Sequence, residues 1–145
     1  MGASRFLSPE QQRSIVAAIQ EAELNTSGEI RVHIESKCSG DPVQRAVAVF
    51  HQLKMERTAL RNGVLIYVAF QSHKLAIIGD QGIDQVVPVG FWDTVKDRLV
   101  AGFVSGAYAE GMVEAIRQAG IQLKQYFPYQ TDDINEQSDE ISFGD

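Results

Sequence analysis

Residues 63–70 are the part of the sequence that most restricts the fold. They read Gly-Val-Leu-Ile-Tyr-Val-Ala-Phe, without a single charged residue. A strand of this composition is typical of the centre of a sheet that helices cover on both faces. Residues 71–74, Gln-Ser-His-Lys, then predict a turn, and the apolar residues 75–78 predict a strand that returns antiparallel to the first. The sequence therefore predicts a sheet built around residues 63–70.

Two helices and another strand are predicted before this central strand. Ser8-Pro9-Glu10-Gln11 combines a capping hydroxyl, a proline and a glutamine at the spacing of a capping box, so a helix begins there and ends near residues 25–28. Residues 29–35 alternate polar and apolar side chains, which predicts an edge strand with one solvent-facing side. Asp41-Pro42 begins a second helix that leads to residues 63–70.

The order of these elements predicts the topology. The first two strands are joined through a helix, so they should lie parallel with a right-handed crossover, and the third should pair antiparallel with the second. Helical patterns at 91–103 and 108–126 follow, and Phe91, Trp92 and Phe103 are predicted to share one helical face. We therefore predict an α/β fold: a three-layer α/β/α sandwich with a small mixed sheet, a parallel βαβ unit, an antiparallel hairpin and helices on both faces.

Length and charge predict one domain and an acidic tail. The 145 residues suit a single core, which we place at 1–128. The net charge of −6 comes entirely from residues 129–145, which hold six acids and no Lys or Arg. We expect this tail to be mostly flexible and docked at its end. Without a basic excess, no nucleic acid or anionic membrane is expected as a partner.

The lone Cys38 excludes an intramolecular disulfide and a thiolate zinc site, which fits a reducing compartment. A cysteine-phosphatase loop is not formed around it, because Gln44 stands where an arginine is needed. No apolar run has the length of a signal peptide or of a membrane span. We therefore expect a cytoplasmic, soluble protein without membrane insertion, as a monomer.

Acidic and amide side chains are predicted to meet at one edge of the sheet. The starts of strands 1 and 2 should lie beside the end of strand 3, which brings together Glu29, Asn62, Asp80 and Asp84. Carboxylates crowded in this way repel one another, and a hard divalent cation such as Ca²⁺ or Mg²⁺ removes that cost. The alternative is that these acids are ordinary solvated residues at strand ends, with Asp84 capping a turn and Arg61 neutralising them.

Several separated motifs resemble the TPM domain family, named for thylakoid-lumen, photosystem-associated and acetylcholine-receptor-modulating members. They are Thr26-x-Gly28-Glu29-Ile30, Asn62-Gly63-Val64-Leu65, Gly79-Asp80-x-Gly82-Ile83, Phe91-Trp92 and Tyr108-x-x-Gly111 with Ala115-Ile116. The resemblance implies a three-layer α/β sandwich, divalent-metal binding in an acidic pocket and, as in a plant member, an acid phosphatase activity. Carried over position by position, it implies Glu29, Asp80 and Asp84 as metal ligands, with Asn62 in support.

Two functions remain open at this point. The chain is either a TPM-like module that binds Ca²⁺ or Mg²⁺ in a structural or protein-partner-binding role, or a metal-assisted phosphatase that hydrolyses phosphomonoesters. In the second case Arg61 would steady the phosphate. No catalytic residue is assigned, because no hydrolase motif is present. A third possibility is that the acidic tail acts as a peptide that binds elsewhere.

Overall fold

A computed structural model describes residues 3–129 and 137–144 of the chain. Its helices and strands are α1 (Pro9–Glu23), β1 (Glu29–Glu35), α2 (Pro42–Gln52), β2 (Gly63–Ala69), β3 (Lys74–Gly79), α3 (Gln81–Asp84), α4 (Asp93–Ser105), α5 (Tyr108–Tyr126) and β4 (Ser142–Phe143). Two short 3-10 turns occupy Ala3–Arg5 and Met55–Arg57.

The sheet has four strands in the order β3-β2-β1-β4. β1 and β2 are parallel, from the pair Glu29 and Gly63 to the pair Glu35 and Ala69, while β2 and β3 are antiparallel. The parallel unit and the hairpin are therefore confirmed. The prediction that β1 is an edge strand is wrong, because β4 pairs with it in parallel through His33 and Ser142. The signal for that strand lies in a two-residue stretch far along the chain, which no local periodicity reveals.

Helices cover both faces of the sheet, so the three-layer arrangement is confirmed. Even-numbered residues of β1 and β2, such as Ile34 and Val64, pack in one core cluster with residues of α1, α4 and α5. Odd-numbered residues of β2, such as Leu65, pack in a second cluster with residues of α2. Because strand side chains alternate between faces, the apolar run of β2 serves both cores.

The predicted helix starts at α1 and α2 are confirmed. The Ser8 hydroxyl accepts from the Gln11 amide at 3.1 Å, and the Gln11 side chain accepts from the Ser8 amide at 2.8 Å, which completes the capping box. Asp41 caps α2 through the Val43 amide at 3.0 Å.

The aromatic residues near α4 do not form the predicted single set. α4 begins at Asp93, because Gly90 adopts φ 80° and holds Phe91 and Trp92 in the loop before the helix. Phe91 contacts Trp92 and Tyr126, with ring centroids 4.7 and 5.5 Å apart. Phe103 instead contacts Phe6 and Tyr108 on another part of the domain. The predicted helix thus began two residues too early, and its aromatics divide between two clusters.

The described part of the acidic tail lies along the outer edge of β1. Residues 142–143 form β4, and the Gly144 amide donates to the Ile34 carbonyl at 2.9 Å. Near the other end of β1, the Gln137 amide donates to Glu29 Oε1 at 2.8 Å. The remaining tail residues, 130–136 and 145, for which flexibility was also predicted, lie outside the described residues.

Candidate functional site

Glu29 and Asp80 occupy one edge of the sheet, on either side of Gly63. The register pairs Glu29 with Gly63, and the Asp80 amide donates to the Gly63 carbonyl at 2.9 Å. Both acids are almost completely buried, with exposed fractions of 4% and 7%. Two of the predicted site residues are therefore placed at the same sheet edge, with a residue that lacks a side chain between them.

Asp80 is held by Arg61 and by the backbone of α3. Arg61 Nε donates to Asp80 Oδ2 at 2.7 Å and Nη2 donates to Oδ1 at 2.9 Å, while the Gln81 amide donates to Oδ1 at 2.7 Å as Asp80 caps the helix. This hydrogen-bonded pairing raises the pKa of Arg61. Arg61 itself adopts φ 51°, a left-handed conformation at the turn that precedes β2. The residue that caps α3 is thus Asp80, whereas the alternative interpretation assigned a capping role to Asp84.

Two further carboxyl groups, those of Glu23 and Asp139, lie near Glu29. The Glu23 side chain accepts from the Ile30 amide at 2.9 Å through Oε2 and is hydrogen-bonded to Asp139 of the tail. Burial, the bond to Asp139 and the charges of Asp139 and Glu29 raise the pKa of Glu23 to about 10. Glu23 is therefore protonated at neutral pH, and this edge is richer in acids than the sequence pattern indicated.

Asn62 and Asp84 complete the predicted set and differ in their surroundings. Asn62 is 1% exposed, and its Nδ2 donates to the Ser27 carbonyl at 3.2 Å. Its Oδ1 is buried and has no hydrogen-bond partner among the described residues. Asp84 is exposed at the end of α3, where partial burial and the charge of Asp80 raise its pKa. Asn62 thus presents an unused acceptor, whereas Asp84 stands at the surface.

The side chains at this edge carry oxygen donors of the type that a hard cation needs. Carboxylate and amide oxygens are the ligands that Ca²⁺ and Mg²⁺ prefer, and the unpartnered Asn62 Oδ1 is an oxygen of this kind. Within residues 3–129 and 137–144, however, no three His, Cys, Asp or Glu side chains are close enough together to hold a metal ion. The residues fit a hard cation in type, while Arg61 holds both oxygens of Asp80.

A second buried carboxylate, Glu35, lies at the opposite end of β1. Arg45 Nε and Nη2 each donate to it at 2.9 Å, His33 Nε2 lies 3.0 Å from its Oε1, and the Tyr67 hydroxyl donates to its Oε2. His33 Nδ1 in turn lies 2.8 Å from the hydroxyl of Ser142 on β4. These contacts join β1, β2, α2 and the tail in one hydrogen-bonded network.

The protonation states in this network follow from burial and from its internal bonds. Burial alone would raise the pKa of Glu35, but hydrogen bonds from Arg45, Tyr67 and His33 outweigh it and lower the pKa to about 2. Burial lowers the pKa of His33, although Glu35 opposes the shift. Neutral His33 then donates from Nε2 to Glu35 and accepts at Nδ1 from Ser142. Glu35 therefore remains ionised and saturated with donors.

Comparison with known proteins identifies the family. The sequence model of the TPM domain matches residues 3–122. The chain belongs to the TPM domain family. The structure of this TPM domain is similar to the NMR structure of the BA42 protein from the psychrophilic bacterium Bizionia argentinensis, with 48% identity, coverage of 97% of each chain and a TM-score of 0.92.

More distant structures share the fold of this TPM domain. The N-terminal domain of a P. gingivalis protein has 20% identity and a TM-score of 0.66, over 86% of this chain and 80% of that one. The N-terminal domain of the cg2496 protein from Corynebacterium glutamicum has 15% identity and a TM-score of 0.65, over 80% and 73%. The comparison with curated protein sequences found no match. In the described part of this TPM domain, no helix is both long and apolar enough to cross a membrane.

The Glu35 network of this TPM domain was not predicted as a site. The strand pattern assigned His33 and Glu35 to a solvent-facing side, whereas they are 5% and 3% exposed. The sequence offered one signal for this network, the phenol of Tyr67 inside an otherwise apolar strand. The register places Tyr67 beside His33, with ring centroids 5.9 Å apart.

The lone cysteine lies in the loop between β1 and α2. Cys38 is a buried free thiol whose Sγ lies 3.5 Å from the Gly40 carbonyl.

Proposed function

We propose that this TPM domain binds a divalent cation, Ca²⁺ or Mg²⁺, at the edge formed by Glu29, Asn62 and Asp80, in a structural or protein-partner-binding role. The observation that supports it most is the buried Asn62 Oδ1, which has no partner among the described residues although the side chain is 1% exposed. A buried acceptor without a donor costs about 1 to 3 kcal/mol, and a cation is one group that would offset this cost.

The charge distribution supports the same proposal. Glu29 and Asp80 are buried at one sheet edge, and the negative charge of Glu29 is one of the causes that raise the pKa of the neighbouring Glu23. Asp84 feels the charge of Asp80 from the surface. Arg61 supplies a single positive charge at Asp80, and its side chain is 37% exposed, so solvent screens this charge. A divalent cation would supply more charge to this acidic edge than the guanidinium does.

A bound cation would stabilise this end of the sheet. Glu29 begins β1, Asn62 precedes β2 and Asp80 follows β3, so a shared ion would join three strand ends. A ligand that binds only the folded state at a concentration of 100 times its Kd contributes about 2.7 kcal/mol to the free energy of unfolding. The same edge, made rigid by the cation, would serve as a binding surface for a protein partner. This role requires no catalytic turnover.

The test is an NMR titration of the full chain with Ca²⁺ and then Mg²⁺. Saturable shifts at the amides of Glu29, Asn62 and Asp80 are expected, with loss of the response in Asp80→Asn. Asp97→Asn removes an exposed acid on α4 and serves as the matched control. A titration that leaves the three amides unmoved, or an equal response in Asp80→Asn, overturns the proposal.

Phosphomonoester hydrolysis is the alternative, and the position of Arg61 is the feature that favours it. A bound divalent cation supplies polarisation of a phosphoryl oxygen or activation of water. Arg61 holds a buried carboxylate through Nε and Nη2 while remaining 37% exposed, so Nη1, which these two bonds do not use, could bind a phosphate oxygen. Hydrolysis of p-nitrophenyl phosphate, lost with chelator and in Asp80→Asn, is expected if this alternative holds. Activity that survives Asp80→Asn points to a contaminant.

We also propose that the protein is cytoplasmic and monomeric. Support for the location comes from Cys38, a buried free thiol of the kind that persists in a reducing compartment. Fractionation of the source cells tests the location, and sedimentation of the pure protein tests the oligomeric state.

A further inference from the structure

We propose that the outer edge of β1 is a binding site for an extended peptide, and that residues 137–144 are its intramolecular occupant. The partner that fits this edge is an acidic extended segment with a hydroxyl residue followed by an aromatic residue and glycine. This inference goes beyond cation binding and does not depend on it, because the groups that recognise the peptide lie mainly at the other end of β1.

The backbone of the tail is held in the manner of an added strand. β4 pairs in parallel with β1 through His33 with Ser142 and Ile34 with Phe143, and the Gly144 amide donates to the Ile34 carbonyl at 2.9 Å. Of the tail residues that the structure describes, only Ser142 and Phe143 have strand geometry. Main-chain bonds to a sheet edge give affinity for an extended peptide of any sequence, and side-chain pockets give the specificity.

Two consecutive tail residues, Ser142 and Phe143, contact opposite faces of the sheet. The Ser142 hydroxyl lies 2.8 Å from Nδ1 of the buried His33. Phe143 packs against the core on the α1 side, where it lines an open groove with Val16 and Ala17. Because successive side chains of a strand point to opposite faces, a hydroxyl and an aromatic residue are read on the two sides of the sheet.

The position of Gly144 excludes any larger residue. A Cβ atom there would lie 2.7 Å from Oε1 of Glu35, 3.1 Å from its Cβ and 3.1 Å from Nε2 of His33. Glu35 cannot easily give way, since Arg45, Tyr67 and His33 all bond to its carboxylate. The site therefore selects glycine after the aromatic residue.

Arg31 of β1 favours an acidic residue opposite it, and the tail does not use this arginine fully. Extending the register of β4 places Glu140 opposite Arg31. Arg31 Nε is nevertheless buried without a hydrogen-bond partner among the described residues, and burial lowers the pKa of Arg31. A peptide whose carboxylate reaches this donor would gain a charge-assisted bond that residues 137–144 do not supply.

The test releases the tail inside the full chain and supplies the peptide separately. Gly144→Val should undock residues 137–144, which the Ile34 amide reports by NMR, and Gly40→Val is the control because a Cβ at Gly40 meets nothing within 4 Å. The probe is a fluorescein-labelled peptide of sequence QSDEISFG, residues 137–144. An intramolecular occupant competes at an effective concentration of roughly 1 mM, so the peptide should bind Gly144→Val at least tenfold more tightly than wild type or Gly40→Val.

Variants of the peptide distinguish sequence-specific binding at the β1 edge from nonspecific binding to the protein. Substituting the serine that corresponds to Ser142 by alanine, the phenylalanine by alanine or the glycine by valine should each weaken binding to Gly144→Val several-fold, whereas a scrambled peptide should not bind. Failure of the peptide to bind a released Gly144→Val chain overturns the proposal. So does a tail that stays docked in Gly144→Val, because the site then does not select glycine. A wild-type dimer that exchanges tails would instead make a second copy of the chain the occupant.

Discussion

The two ends of β1 lie near buried carboxylates that are paired with arginine in the same way but differ in what surrounds them. Asp80 and Glu35 are each held through two nitrogens of an arginine, and both arginines keep more than a third of the side chain exposed. Glu35 receives two further side-chain bonds, from Tyr67 and His33. Among the described residues, the Asp80 carboxylate receives one further bond, from the backbone amide of Gln81 in α3.

The difference separates a structural carboxylate from a candidate binding site. At the Glu35 end both carboxylate oxygens accept hydrogen bonds from neighbouring side chains, and the pKa of Glu35 falls to about 2. At the Asp80 end an amide oxygen of Asn62 is unused, and the pKa of Glu23 rises to about 10. An arginine pair therefore says little by itself about function, and the unsatisfied groups around it carry the information.

The largest expected effect is the loss of Glu35. Glu35→Gln removes the charge that Arg45, Tyr67 and His33 share, and we expect about 3 kcal/mol of destabilisation, at the low end for a buried pair because Arg45 can be solvated. Urea unfolding at pH 7 measures it. Gln44→Glu, on the exposed surface of α2, tests whether a charge change nearby has any such effect. A loss below about 0.5 kcal/mol would mean that the network does not stabilise the fold.

Opposite pH dependences should distinguish the two ends. The pKa of Glu35 is lower in the folded state, so its contribution exists above about pH 4.5 and is lost as the pH falls towards 2. The pKa of Glu23 is higher in the folded state, so its contribution is complete below about pH 4.5 and is lost as the pH rises towards 10.

Glu23→Gln tests the second of these dependences. Glutamine imitates the protonated acid that bonds to Asp139, so the variant should keep its stability where the wild type loses it. Between pH 5 and 8 we expect the wild type to lose about 2 kcal/mol, less than the full linkage slope because Asp139 can move into solvent. Urea unfolding across this range, with Glu21→Gln as the exposed control on α1, measures the difference. Parallel profiles for wild type and Glu23→Gln would contradict the assignment.

The sequence determined the framework of the fold better than the details of either end. The apolar run at 63–70 and the caps at Ser8 and Asp41 are local signals, and they predicted the central strand and two helix starts correctly. β4 was not predicted, because its pairing partner lies about a hundred residues away in sequence. The burial of His33 and Glu35 was missed for the same reason, since the tail and α2 cover a strand whose pattern looked half solvated.

Asp80→Asn should destabilise the protein less than Glu35→Gln does, in the absence of added cation. Asparagine caps a helix nearly as well as aspartate, and the released Arg61 is already 37% exposed, so we expect a loss of about 1 kcal/mol. Unfolding in chelator isolates this effect from any bound cation. A loss equal to that of Glu35→Gln would remove the contrast between the two ends.

The smallest effect is expected where the tail joins the Glu35 network. Ser142→Ala leaves Nδ1 of His33 without its donor, and one unmet buried acceptor costs about 1 kcal/mol. Neutral His33 uses its other nitrogen for Glu35, so Nδ1 regains a donor when the imidazole tilts or when water enters beside it. The nitrogen shifts of His33 should therefore change while the amides of α2 stay in place. The exposed Ser39→Ala is the control, and a change that extends through α2 would show that the tail supports the whole network rather than one of its hydrogen bonds.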